Sequence, residues 1–203
     1  MSWVSLVAYI GIAAIFLFTV IAIVLHALPT GYTLLRNPLS DFATGSSRAL
    51  MTGAFLILGI GVLLMAIGLG PGLHERKRVA VGVFFIAVFG ASRLLVAFFP
   101  SDVDGAGRTT VGRIHSLLTA FGFIAIPLGA IALTPVLRYT QGWAGVAPTL
   151  RLFELLISVF ALAVFVTRIR ALRGVFGAAE KLLYASSLIW LFVLGLRFAL
   201  LKH

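Results

Sequence analysis

His115 and Thr119 stand four residues apart and Gly122 follows three later. In a helix that spacing puts an imidazole, a hydroxyl and a gap on one face, and a face of that kind is expected to look inward. Arg93, Asp102, Asp104, Asp41, Ser40 and His26 fall near the same end of neighbouring apolar stretches. Such residues could do several kinds of chemistry. In one, His115 and Asp102 act as an acid–base or metal-ligand pair, assisted by Ser40 or Asp41, in a lipid hydrolase or transferase. Zinc hydrolysis needs about three protein ligands and an open water position, which His26, His115 and Asp102 would supply, with Asp41 or Asp104 in reserve. In another, Arg93, Arg108 and Arg113 hold a phosphate or carboxylate headgroup beside Thr119, without a cofactor, because a guanidinium suits bidentate oxyanion recognition. The plain structural alternative pairs Arg93 with Asp102 and ties His115 to a loop carbonyl, since buried polar groups must find partners. A haem bracketed by His26 and His115 has no further residue in its favour.

The elements that would position these groups follow from composition. Of 203 residues, 61% are hydrophobic and 11% charged, and the mean hydropathy is +1.14. Soluble domains carry about 25% charge, so the chain reads as an all-α polytopic membrane protein. Disorder and low-complexity classes are excluded on the same grounds. Sixteen Lys and Arg against six Asp and Glu leave a formal net charge of +10. In so apolar a chain that charge belongs to short loops facing anionic lipid headgroups. Nucleic acid is excluded as a partner, because no polar domain exists to carry a basic stripe; membrane lipids are the expected partners. With no Cys there is neither a thiol nucleophile nor a thiolate metal site.

A spanning helix needs about 20 mostly apolar residues. Six segments qualify and are expected to form one bundle as a single domain: 3–28, 49–70, 79–99, 114–137, 150–167 and 182–201. The first carries no formal charge and lacks the basic leader of a signal peptide, so it reads as a mature helix. Ser46 or Ser47 is the expected N-cap of the second, and its Gly53, Gly59, Gly61, Gly68 and Gly70 read as close-packing positions. Pro127 should kink the fourth. Trp3, Trp143 and the tyrosines near helix ends fit interfacial belts, and the loop after the first helix has room for a short interfacial helix. No inverted repeat or pair of broken helices argues for transport.

Six spans put both termini on one face, here side A, with the loops 71–78 and 139–148. Side B receives 29–48, 100–112 and 168–181, and with them the polar cluster. Lys and Arg split almost evenly between the faces, so the positive-inside rule leaves orientation open. The dense run His74-Glu75-Arg76-Lys77-Arg78 favours cytoplasmic termini; Arg168, Arg170 and Arg173 pull the other way. On side A, Glu154 could meet Arg197 or Arg151 as a structural pair, and His74 and His203 read as solvated. A charge at mid-bilayer costs about 2.5–3.5 kcal/mol on insertion scales. Arg93, about 9 Å inside its helix, therefore needs a partner or a polar cavity.

Four motifs in order, Asn37-Pro38-Leu39-Ser40-Asp41 with Gly45, Phe98-Phe99-Pro100-Ser101-Asp102, Gly112-Arg113-Ile114-His115-Ser116, and Gly177-x-x-Glu180-Lys181, resemble the bacterial and archaeal membrane family called domain of unknown function 998. The similarity covers nearly the whole chain. It implies a six-helix integral protein of a prokaryotic cell (inner) membrane, with signature residues Pro38, Ser40, Asp41, Pro100, Asp102 and His115 lining one side, and no settled activity. A more distant likeness is to the membrane ceramidase and adiponectin-receptor superfamily, in which Ser, Asp and several His meet at one membrane face. The chain departs from it in having two side B histidines and no paired histidines on a late helix.

Overall fold

Leu, Ile, Val, Phe and Ala in runs of 20 or more leave a backbone in lipid only one open-chain way to satisfy its own N–H and C=O groups, the helix. In the computed structural model, which describes residues 2–72, 76–102 and 107–201, six such helices form. They are α1 (Trp3–Ala27), α2 (Arg48–Gly72), α3 (Arg76–Val96), α4 (Thr110–Leu137), α5 (Ala147–Val166) and α6 (Phe176–Leu200). Each packs on the next, and α6 closes the ring against α1. The outer surface is apolar, with Phe16, Ile23, Phe84, Phe121 and Leu162 all well exposed, as a lipid-facing surface requires. His74, Asp104 and His203 lie outside the described residues.

Lipid gives little drive for one apolar helix to prefer another, so close approach matters. A Cβ on Gly59 would stand 2.5 Å from the Leu94 backbone nitrogen, and one on Gly61 would stand 2.2 Å from the Ala14 Cβ. The glycines of α2 thus bring it against α3 on one side and α1 on the other. Gly53 and Gly70 have open space beside them, so the close-packing reading does not extend to those two. The core between the helices is aromatic. Phe18 stacks on Tyr184 at 5.6 Å between ring centroids, Phe123 meets Tyr184 edge-on at 5.6 Å, and Trp190 donates to the Thr134 hydroxyl at 3.2 Å, joining α6 to α4.

Several boundaries move, and each shift has a local cause. α4 begins at Thr110 rather than 114 because Thr109 caps it, its Oγ1 accepting from the Gly112 N–H at 3.0 Å. α3 stops at Val96, three residues before the expected end, and unwinds through single turns that close Phe98 on Leu95 and Phe99 on Val96 ahead of Pro100. α6 starts at Phe176, six residues before 182, preceded by a 3-10 stretch over Arg170–Val175. Smaller shifts end α1 at 27, open α2 at 48 and carry it to 72, and run α5 from 147 to 166. Ser47 is not the cap of α2: it is buried, and its hydroxyl donates to the Phe42 carbonyl at 2.9 Å. α4 continues as one helix through both Pro127 and Pro135.

Two aromatic expectations fail. Trp143 is fully buried instead of sitting in an interfacial belt, and Tyr184 lies in the core. Tyr184 lies inward because it serves a buried arginine described below, whereas Trp143 is packed into the apolar core with no hydrogen-bond partner for its indole nitrogen among the described residues. The loop after α1 does contain short helical segments. Its two 3-10 turns, Leu39–Ala43 and Gly45–Ser47, tuck Leu39, Ser40, Phe42 and Ala43 into the bundle.

Candidate functional site

The turn at Leu39–Ala43 is held from α6. A Cβ on Gly177 would come within 2.5 Å of the Asn37 carbonyl oxygen, so only glycine lets the loop approach. One turn later the Glu180 carboxylate accepts the Leu39 N–H at 2.7 Å, and the Lys181 ammonium donates to the carbonyls of Leu34 (3.1 Å) and Asn37. A carboxylate thus takes the N-terminal end of the 3-10 turn, where a negative charge is favoured, and an ammonium takes the carbonyls of the residues before it. Within the turn, the Asn37 amide donates to Asp41 at 2.9 Å.

The loop between α3 and α4 is anchored in the same region. Asp102 accepts the Thr109 hydroxyl at 2.6 Å and the Thr109 N–H at 3.2 Å, and its carboxylate fills the space a side chain at Gly112 would need. Ser101 donates to the Ser40 carbonyl at 3.2 Å, joining the two loops. His115 is buried, and its Nδ1 lies 2.7 Å from the Phe99 carbonyl. A carbonyl only accepts, so Nδ1 carries the proton and Nε2 keeps its lone pair when the ring is neutral. This is the loop-carbonyl tie expected of the structural alternative.

Arg93 does not pair with Asp102. Only 1% exposed, it donates to the Tyr184 hydroxyl, to Ser92 Oγ at 2.8 Å and to the Thr119 carbonyl at 3.5 Å. Its guanidinium carbon stands 5.0 Å from the Phe123 ring centroid, 5.5 Å from that of Phe89 and 5.7 Å from that of Tyr184, an aromatic box for a cation. Gly122 makes the room: a Cβ there would meet the Arg93 Nη2 at 2.6 Å. The inward face of His115, Thr119 and Gly122 is therefore real, with the gap occupied by Arg93. This arginine belongs to the core and does not reach the side B opening.

Other arginines do. Arg36, Arg108, Arg168 and Arg173, with Asp41 and Asp102, line a cavity of about 810 Å³ at the side B face. An adjoining compartment of about 400 Å³ shares these arginines except Arg36, and adds Ser40, Ser101, His115, Ser116, Thr119 and Glu180. A lateral branch runs past Arg113, Ser116 and Leu117, the last of these 60% exposed on the outer surface. Burial pulls Arg168 below its ordinary value, Glu180 pushes it back, and the neighbouring positive charges of Arg108 and Arg173 pull it down again. An arginine stays protonated through such a shift, so like charges stay gathered. Arg168 also lies over the Phe176 ring at 4.5 Å. Among the described residues none of the four is held in a salt bridge.

All four sequence motifs contribute to the small compartment, and the family comparison extends over the same stretch of chain. A model described as Protein of unknown function (DUF998) matches residues 12–197. The chain belongs to that family. No curated protein and no solved structure matches it. In this DUF998 protein the expected site residues divide in two. His115, Asp102, Asp41, Ser40, Arg108 and Thr119 come together around the small compartment, and Arg113 joins them at the lateral branch. His26 does not: its Nδ1 bonds the Ala22 carbonyl at 2.7 Å and its ring lies 4.8 Å from that of Phe42. Among the described residues no group of three His, Cys, Asp or Glu side chains could hold a metal ion. His26 thus stands apart from His115 and Asp102, and Asp104 lies outside the described residues.

Sequence reasoning passed over Arg36, Arg168 and Arg173 as loop charges and Glu180 and Lys181 as flanks of the last helix, and read Tyr184 as an interfacial residue. One signal was present. Glu180 and Lys181 lie inside a stretch, 171–200, that is apolar enough to cross a membrane, and a charged pair there asks for a partner.

Proposed function

We propose that this DUF998 protein binds the anionic headgroup of a membrane lipid in the side B cavity, without catalysing a reaction. The observation that carries the reading is the convergence of Arg36, Arg108, Arg168 and Arg173 on one opening. These residues come from the loop after α1, the loop before α4, the end of α5 and the stretch before α6. Four arginines outnumber the two carboxylates, Asp41 and Asp102, of that lining; like charges in excess are relieved by a further anion, and a phosphate offers the oxygens that several guanidinium groups can share. Asp102 is engaged by Thr109, and Asp41 receives the Asn37 amide. Both serve to set the loops that carry the arginines.

The lateral branch supports a lipid over a free anion. A headgroup between Arg108 and Arg168 would adjoin Leu117, exposed on the apolar outer surface of α4, where acyl chains would lie. The reading places the protein in a prokaryotic cell membrane with its termini cytoplasmic and the cavity on the opposite face. The test is native mass spectrometry of the detergent-purified protein and its Arg168→Gln/Arg173→Gln variant. Anionic lipid retained by the first and lost from the second is expected; equal retention would overturn the reading. Tagging either terminus with a compartment-sensitive reporter checks the orientation.

A further inference from the structure

The small compartment differs chemically from the cavity it adjoins. What it adds is hydroxyls, an imidazole and the Glu180 carboxyl. Thr119 lines it, is 6% exposed, and has a buried hydroxyl with no hydrogen-bond partner. Leaving such a group unmade costs about 1–3 kcal/mol, which a ligand hydrogen bond would recover. One turn before it, His115 presents Nε2 as an acceptor because Nδ1 is committed to Phe99. Side chains four apart on a helix have their Cβ atoms about 5–6 Å apart, so one small group can reach both. Thr119 offers an O–H to donate and His115 a lone pair to accept, and the group that answers both at once is an alcohol. An anionic oxygen would accept from Thr119 but would face the lone pair of His115 and the carboxyl of Glu180.

We infer that the small compartment is a hydroxyl subsite, read by Thr119 and His115, and that the ligand is a polyol phosphodiester whose phosphate lies among Arg108, Arg168 and Arg173. The inference rests on the headgroup reading above and narrows it to headgroups such as phosphoglycerol. The hydroxyl of the headgroup donates to His115 Nε2 and accepts from Thr119, while no covalent bond forms or breaks.

The experiment compares two short-chain lipids of equal charge, dioctanoyl phosphatidylglycerol and dioctanoyl phosphatidylmethanol, by calorimetric titration of the detergent-solubilised full chain. Phosphatidylglycerol is expected to bind about fivefold or more tighter, the worth of one or two net hydrogen bonds. Thr119→Val should bring the ratio close to one, and Thr119→Ser should keep it. Equal affinities in the unmodified protein, or a preference that survives in Thr119→Val, would overturn the hydroxyl subsite while headgroup binding stands. Binding of neither lipid would remove both. Glycerophosphoglycerol, the same diester without acyl chains, is the remaining arm: binding as tight as that of phosphatidylglycerol would keep the polyol phosphodiester chemistry and overturn the lipid as its source.

Discussion

Both ends of the bundle hold arginines, but they use them differently. On side A, Arg151 pairs with Glu154 three residues on, and the Arg197 Nε donates to the Gly142 carbonyl. Glu154 and Arg197 do not form the cross-bundle pair that their positions suggested. On side B, Arg36, Arg108, Arg168 and Arg173 border a cavity with no salt bridge among the described residues. The number of charges therefore says little about where a ligand binds. What distinguishes the ends is whether local geometry has already satisfied each cation. Side A does so for Arg151 and Arg197, with a neighbour on the same helix and a nearby turn, whereas side B holds its loops with Glu180 and Lys181 and leaves four arginines facing an opening.

The contrast can be broken most forcefully at Arg93, the core residue beneath side B. Arg93→Ala should cost about 3 kcal/mol or more, because it empties the aromatic box and strips Tyr184 of its partner; thermal melting in detergent measures this. Glu180→Ala comes next. It leaves the Leu39 N–H buried without an acceptor, a loss of about 1–3 kcal/mol, and should show as faster amide exchange confined to residues 34–47. Arg168→Gln with Arg173→Gln should weaken anionic lipid binding by about tenfold or more, as expected for charge-assisted bonds, whereas the side A variant Arg138→Gln should leave it within about twofold. An equal loss at Arg138 would mean that the arginines act only through net charge. The smallest effect is expected at Glu154→Gln, under about 1 kcal/mol of stability, because its partner Arg151 is 56% exposed and water screens the pair.

Much of the architecture was legible in the chain because it follows from local rules. Six apolar runs imply six helices, and odd-numbered crossings put the polar loops on one face. The face of His115, Thr119 and Gly122 followed from helical spacing alone. The partner of Arg93 was not legible. Asp102 is nine residues away and carries the opposite charge, whereas Tyr184 is 91 residues away and neutral. Only the packing of α6 against α3 and α4 shows that three rings, one of them the Tyr184 phenol, hold this cation. Glu180 was misplaced for a simpler reason: the apolar run was expected to start at Leu182, which left the residue outside the helix that orients it.

The sequence by itself determined that the chain crosses a membrane six times, which end of the bundle carries the polar motifs, and which face of α4 turns inward. These depend on composition and on a period of 3.6 residues, both properties of short stretches. The tertiary structure decided which cations are buried and satisfied and which line the cavity, and it placed the His26 ring against Phe42, apart from the His115 cluster. It also paired Gly177, Glu180 and Lys181 with a loop some 140 residues earlier. The physical reason is that a buried polar group takes whatever partner the folded backbone brings within about 3 Å, and that choice is made between segments that no local pattern connects.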